Sequence, residues 1–139
     1  MRYLGLDLGS KTLGMSISDI TGLIASNLGT INFLDEDYDS LLLPLKKIID
    51  DNEVEKIVLG YPKNMNNTLG TRAMITLEFK EKLERAFGIE VIMEDERLTS
   101  VISNNVLISA DISRKKRKKK VDGIAAVLIL QSYLDRINN

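Results

Sequence analysis

Two apolar runs at the start of the chain, Arg2–Leu8 and Leu13–Asp19, are separated by only the four small or polar residues 9–12. So short a connection admits an antiparallel hairpin and excludes a parallel crossover, which takes a dozen residues or more. The sheet must therefore open antiparallel. A third strand is expected over 23–31, after a turn at Gly22; Ser26, Asn27 and Gly29 interrupt its pattern and place it at an edge. The pattern then changes period. Beyond an acidic stretch, Asp35–Asp39, the residues Leu41, Leu42, Leu45, Ile48 and Ile49 form one helical stripe, capped by Asp39 or Ser40 and ending near Asp51. Pro44 falls in the first turn, where its missing donor costs little.

Val54–Gly60 is short and almost continuously apolar, as a central parallel strand is. A helix over about 69–87 should follow, closed by Gly88, then a strand Ile89–Glu94, a short helix from Thr99 or Ser100 to about Ser109, and a last helix from about Val121 to Ile137. The expected architecture is α/β, a mixed five-stranded sheet with helices on both faces, and the 139 residues suit one domain, 1–139.

The chain has neither cysteine nor histidine. That excludes disulfides, thiolate nucleophiles, imidazole metal sites and any serine triad with a histidine base, so acid, base or metal chemistry must run on Asp, Glu, Lys or Tyr. No apolar run reaches the ~18 residues of a membrane span and no signal peptide is evident, which points to the cytoplasm and away from membranes. The net charge of −1 hides a segregation: Arg114–Lys120 is seven consecutive cations, and the remainder of the chain holds 12 basic against 20 acidic residues, a net of −8. Such a block gains by releasing counterions from phosphates; the plainer reading is a solvated loop.

Asp7 interrupts an apolar strand, where an unpaired carboxylate would be costly to bury. It must be hydrogen-bonded, exposed at the strand end, or bound to a cation; the cation is the reading adopted here. Asp95-Glu96 follows the last strand and Asp122 is expected in the first turn of the last helix, so all three can meet at the carboxyl edge of the sheet, where ligands of open α/β sheets gather. Oxygen-only donors favour Mg²⁺ or Mn²⁺, as one or two ions. Each residue has a structural alternative: Asp7 as a turn acceptor, Asp122 as a partner of the helix dipole, Glu96 in a pair with Arg97 or a lysine. Lys11 and Thr12 in the first turn either touch phosphate or form a solvated hairpin tip. Asp19 reads as a turn former, and Tyr3, Tyr61 and the methionines as packing residues.

The stretches Gly5-Leu-Asp-Leu-Gly9 with Gly14 and Ser18-Asp19, Gly60-Tyr-Pro62 with Asn64-Met65, Asp95-Glu-Arg-Leu-Thr99, and Arg114-Lys-Lys-Arg117 with Asp122 and Ala125-Ala126 resemble the YqgF family, also called RuvX, over nearly the whole chain. The resemblance implies a ribonuclease-H-like fold and a metal-dependent nuclease, associated first with Holliday junction resolution and later with maturing the 5′ end of pre-16S ribosomal RNA. It implies Asp7, Glu96 and Asp122 as catalytic metal ligands, with Arg97 and the basic run, including Arg114, Lys115, Lys116, Arg117 and Lys118, as phosphate contacts. The family has one acid on its last helix where resolvases of the RuvC type have two, and Ala125 stands one turn beyond Asp122 in keeping with that. Thr12, Asn67 and Ile102 depart from residues frequent in the family.

The expected function is a Mg²⁺-dependent endonuclease acting on structured RNA in ribosome biogenesis, with precursor rRNA or a ribosomal particle as partner and the protein a monomer or weak homodimer. Alternatives are a DNA junction resolvase, which needs two symmetric sites, and a catalytically silent RNA-binding module that uses the basic run alone. A small actin-like ATPase is the weakest alternative, because one domain offers half of the usual cleft.

Overall fold

A computed structural model describes residues 2–61, 70–95 and 114–138, with side chains from 124 onward in the last segment. The strands are β1 (Arg2–Leu8), β2 (Thr12–Ser18), β3 (Ala25–Asn32), β4 (Val54–Tyr61) and β5 (Val91–Asp95). The helices are α1 (Leu42–Asn52), α2 (Thr71–Phe87) and α3 (Arg114–Asn138). The five strands form one sheet in the order β3-β2-β1-β4-β5, antiparallel from β3 to β1 and parallel from β1 to β5. The hairpin, the edge position of the third strand and the parallel central strand are all as the sequence dictates. The expected short helix after Thr99 lies outside the described residues.

Strand alternation divides the core in two. Leu4, Leu6 and Leu8 of β1 join Leu13 and Met15 of β2 and Ile57 and Leu59 of β4 in a cluster with Leu45 and Ile49 of α1 and Phe79 and Leu83 of α2. Each such side chain removed fully from water contributes about 1.5–3 kcal/mol. The other face carries Val58, Ile129, Leu130 and Leu134, with Tyr3 and Tyr133 beside them. α3 covers it.

The α3 face of the hairpin is built from small residues, and this lets the helix lie close. A β-carbon on Gly5 would sit 2.2 Å from Ser16 Oγ and 2.8 Å from Leu130 Cβ. Ser16 Oγ donates to the carbonyl of Ala126 at 2.7 Å. Farther along α3, Gln131 accepts from the Ala25 amide at 2.8 Å and donates to the Leu23 carbonyl at 2.9 Å, clamping the start of β3.

Gly29 interrupts the β3 pattern for a reason: its φ is +120°, and the β2–β3 register slips between Met15 and Ser16, leaving Leu28 as the extra residue of a bulge. Gly88 ends α2 at φ +64°, donating its amide to the Glu84 carbonyl at 2.9 Å.

Two expectations need correction. The first helix has no side-chain cap from Asp39 or Ser40; a 3-10 turn over Tyr38–Leu41 leads into α1 with Leu41 already helical. Asp39 pairs instead with Lys82 of α2 at 2.6 Å, and Ser40 donates to the Asp37 carbonyl. The larger correction concerns the basic run. It does not precede the last helix but forms its first two turns, since α3 starts at Arg114 and not near Val121. Arg and Lys are strong helix formers, and nothing in their intrinsic preference stops the helix from extending backward through them.

Candidate active site

The carboxyl ends of the parallel strands β1, β4 and β5 lie along one edge. Asp7 stands there, one residue from the end of β1. Leu6 and Leu8 belong to the α1–α2 side and Gly5 lies under α3, so alternation puts Asp7 on the α3 face. Its cross-strand partner in β2 is Gly14. On the other side, Leu6 pairs with Leu59, so the next step of that register sets Asp7 level with Gly60, which pairs with Glu94. Asp7 is thus flanked on both neighbouring strands by glycine. Neither of these neighbouring positions carries a side chain. Gly14 was visible in the first motif; the matching role of Gly60 appears only once the β1–β4 register is known.

α3 runs antiparallel to β1. Tyr133 meets Tyr3 edge-on at 5.8 Å, and Ala126 and Leu130 lie over Gly5, so going back along the helix follows β1 forward. Position 122 lies one turn, about 6 Å, before Ala126. Asp7 lies two residues, about 6.6 Å, beyond Gly5. The two backbone positions therefore advance in step to the same level on the same face. Asp122 is not in the first turn of its helix as expected: eight residues of α3 precede it, and the first turn holds no acid. The interaction with the helix dipole, which falls off within the first turn, is removed as an explanation for it.

Those eight residues extend about 12 Å beyond position 122, in the direction of the carboxyl edge. They include Arg114, Lys115, Lys116, Arg117 and Lys118. Cations are unfavourable at the positive end of a helix and repel each other at i,i+3 and i,i+4 spacings. The segment is therefore electrostatically unfavourable by itself.

At the end of β5, Glu94 is 5% exposed and its Oε1 pairs with Arg136 Nη1 of α3 at 2.6 Å. This hydrogen bond and the nearby carboxylate raise the Arg136 pKa further above its ordinary range. Glu94 therefore faces α3, and alternation turns Asp95 to the opposite face. Glu96 and Arg97 lie outside the described residues. Lys11 is exposed in the β1–β2 turn at the same edge, its carbonyl accepting from the Phe33 amide at 2.9 Å. Asp7 is the one expected ligand whose side chain is described, and the described side chains by themselves form no cluster of three metal-ligating groups. A residue the sequence reading missed is Arg72, whose Nη2 donates to the carbonyl of Leu8. Nothing local in the sequence signals that contact, which spans 64 positions.

The fold and this edge define a class. The chain resembles Thermus thermophilus RuvC in complex with Holliday junction substrate, at a TM-score of 0.61 and 12% identity over 100% of this chain and 97% of that one. It also resembles the fowlpox virus Holliday junction resolvase, at 0.59 and 17% over 98% and 99%. The fold is ribonuclease-H-like.

The profile of the RuvX family, described as Holliday junction resolvase, matches residues 1–136, and the chain belongs to that family. A Geobacillus sp. (strain WCH70) protein named "Putative pre-16S rRNA nuclease" is 51% identical over 135 residues, 97% of this chain and 98% of its own length. A Bacillus subtilis (strain 168) protein of the same name is 48% identical over 138 residues, 99% and 100% of the two chains.

Proposed function

We propose that this chain is a metal-dependent nuclease that hydrolyses phosphodiester bonds of structured RNA, with the 5′ end of precursor 16S rRNA as its substrate, free or in a ribosomal particle. The observation that carries the reading is the placement of Asp7. It stands between Gly14 and Gly60 at the carboxyl edge, on the face where α3 brings position 122 to the same level. An all-oxygen donor set fits Mg²⁺ or Mn²⁺, one ion or two.

Asp7, Glu96 and Asp122 would hold the metal. When bound, it would lower the pKa of a coordinated water and neutralise charge developing on the phosphoryl oxygens. The opposite facing of Asp95 supports Glu96 as the ligand contributed after β5. The chain's own cations do the rest: Lys11, Arg97 and the run Arg114–Lys118 bind and orient the phosphate backbone. The names of the relatives support RNA, and the absence of a second acid at Ala125 fits that choice. We also propose a cytoplasmic monomer or weak homodimer; no described helix is long and apolar enough to cross a membrane.

Cleavage of precursor rRNA by purified protein tests the reading. Activity is expected with Mg²⁺ and should disappear with Ca²⁺ or in Asp7→Asn; full activity in either control would exclude the metal mechanism. A silent RNA-binding module would bind RNA without cleaving it in Mg²⁺. The family description, Holliday junction resolvase, favours one other reading. A four-way DNA junction in the same assay decides it: resolution into paired nicked duplexes, faster than RNA cleavage and by a dimer, would replace RNA as the substrate.

A further inference from the structure

We propose that Arg72 is a further phosphate-binding residue of this site. Its guanidinium, anchored on the carbonyl of Leu8, holds a backbone phosphate of the nucleic acid over the end of β1, next to Asp7. The proposal rests on the nuclease reading above and adds a residue that neither the motifs nor the basic run contains.

Three observations carry it. First, Arg72 reaches the edge from the other side of the sheet. It lies in the first turn of α2, and its Nη2 donates to the carbonyl of Leu8, the last residue of β1 and the neighbour of Asp7. The β1–β4 ladder ends at Leu6 and Leu59, so the guanidinium closes over the strand beyond its last parallel pair.

Second, the anchor is neutral. A carbonyl takes up a donor but no charge, and none of the ion pairs among the described residues involves Arg72. Arg72 as a residue is exposed. The contrast with Arg136 is direct: that guanidinium pairs with the Glu94 carboxylate at 2.6 Å, whereas the described partner of Arg72 is an uncharged carbonyl.

Third, the chemistry exceeds what a strand cap requires. A hydroxyl or an amide would satisfy one carbonyl. Arginine adds a permanent charge and a planar fork of five donors, and fixing one nitrogen on the main chain removes much of the rotamer freedom that phosphate binding would otherwise cost. The charge also counters the like-charge repulsion expected where Asp7 and other acids approach a phosphodiester. Lys11 reaches the same edge from the β1–β2 turn, so the end of β1 lies between two cations borne by different elements.

The experiment is equilibrium binding of a fluorescein-labelled RNA hairpin in Ca²⁺, followed by anisotropy between 50 and 300 mM KCl, with Arg72→Gln and Arg72→Lys. One lost phosphate contact should make the slope of log K against log salt shallower by about one in Arg72→Gln. Arg72→Lys should keep the wild-type slope and bind about tenfold more weakly, the loss of one charge-assisted hydrogen bond. A purely structural cap would lower the melting temperature of both variants and leave slope and affinity unchanged, and that result overturns the proposal. If Arg72→Gln does not fold, Arg72→Lys decides alone, and wild-type affinity in it overturns the proposal. Cleavage in Mg²⁺ separates this from the nuclease reading. Wild-type protein that cleaves while the Arg72→Gln slope stays unchanged refutes only Arg72. An Arg72-dependent slope without any cleavage refutes the hydrolytic reading and leaves the phosphate contact standing.

Discussion

The buried hydroxyl of Ser16 donates to the main-chain carbonyl of Ala126 at 2.7 Å, across the site where a β-carbon on Gly5 would be 2.2 Å from the same oxygen. Gly5 and Ser16 therefore set the height of α3 above the hairpin, one helical turn from Asp122. Gly5→Ala should destabilise the fold by about 1–3 kcal/mol, as overpacked cores do, and should lower nuclease activity more than stability because it displaces the helix that carries Asp122. Ser16→Ala alone removes one hydrogen bond worth about 1 kcal/mol. In the double variant the two losses should be less than additive, since the nearer clash is gone while the Leu130 contact remains. Urea unfolding of the four proteins measures the coupling, and strict additivity would place the clash elsewhere.

The pair Glu94–Arg136 makes an asymmetric prediction. Glu94 is 5% exposed, and its second oxygen has no hydrogen-bond partner among the described residues. Arg136→Met leaves that carboxylate buried and uncompensated. The penalty for breaking such a pair is about 3–5 kcal/mol when both charges are buried. Because the Arg136 side chain is 56% exposed, water can replace part of it, and a loss of about 1–3 kcal/mol is expected. Glu94→Met combined with Arg136→Met removes both charges and should restore most of it. A double variant no more stable than Arg136→Met would show that packing of the arginine stem, and not the ion pair, secures the end of β5.

Much of this was legible because local rules and tertiary demands agree. The three residues between β1 and β2 force a hairpin, the continuous apolar run of β4 needs cover on both faces, and Gly88 sits where a left-handed cap serves. The start of α3 was illegible for an equally physical reason. Seven cations at the start of a helix oppose the usual terminal pattern, in which acids lead and bases follow, yet Lys and Arg are strong helix formers and the fold carries the helix back through them. The first helix hid its start because Asp39 is taken by Lys82, 43 positions away. At the site, Asp7 and Gly14 were visible because an acid in an apolar strand and a glycine after it are local anomalies. Gly60, Glu94 and Arg72 acquire meaning only from register and from contacts across the sheet.

Asp19 gives the fold an acid-sensitive turn. Its Oδ2 accepts from the Thr21 hydroxyl and its Oδ1 from the amides of Leu23 at 2.9 Å and Ile24 at 3.0 Å. The hydroxyl first, then the Ile24 and Leu23 amides, hold the Asp19 pKa well below the usual carboxylate range. The folded state thus binds this proton less tightly than the unfolded chain. The stabilisation is complete above the unfolded value of about 3.9 and declines as pH falls below it toward the depressed folded value. Asp19→Asn keeps an acceptor for the turn but loses the titration. Its stability should depend less on pH between about 2 and 4 than that of the wild type. Parallel acid limbs in thermal melts across that window would mean that the turn does not contribute to acid unfolding.

The basic turns of α3 make two predictions of opposite sign. In the free protein, the cations of Arg114–Lys120 repel one another at i,i+3 and i,i+4 spacings, each pair costing about 0.2–0.5 kcal/mol at low salt, and those in the first turn oppose the helix dipole. Salt screens this repulsion, so raising KCl should increase the helicity of the free protein. Replacing residues 114–118 by glutamine preserves helix preference while removing five charges, and should both raise helicity at low salt and flatten its salt dependence. RNA binding must respond in the other direction: added salt should weaken it in the wild type and weaken it less in the glutamine variant, because fewer counterions are released. Circular dichroism and RNA binding over one salt series measure both. A glutamine variant that gains helicity while keeping the wild-type salt slope for RNA would separate the basic turns from the substrate and leave Lys11, Arg72 and Arg97 as the phosphate contacts.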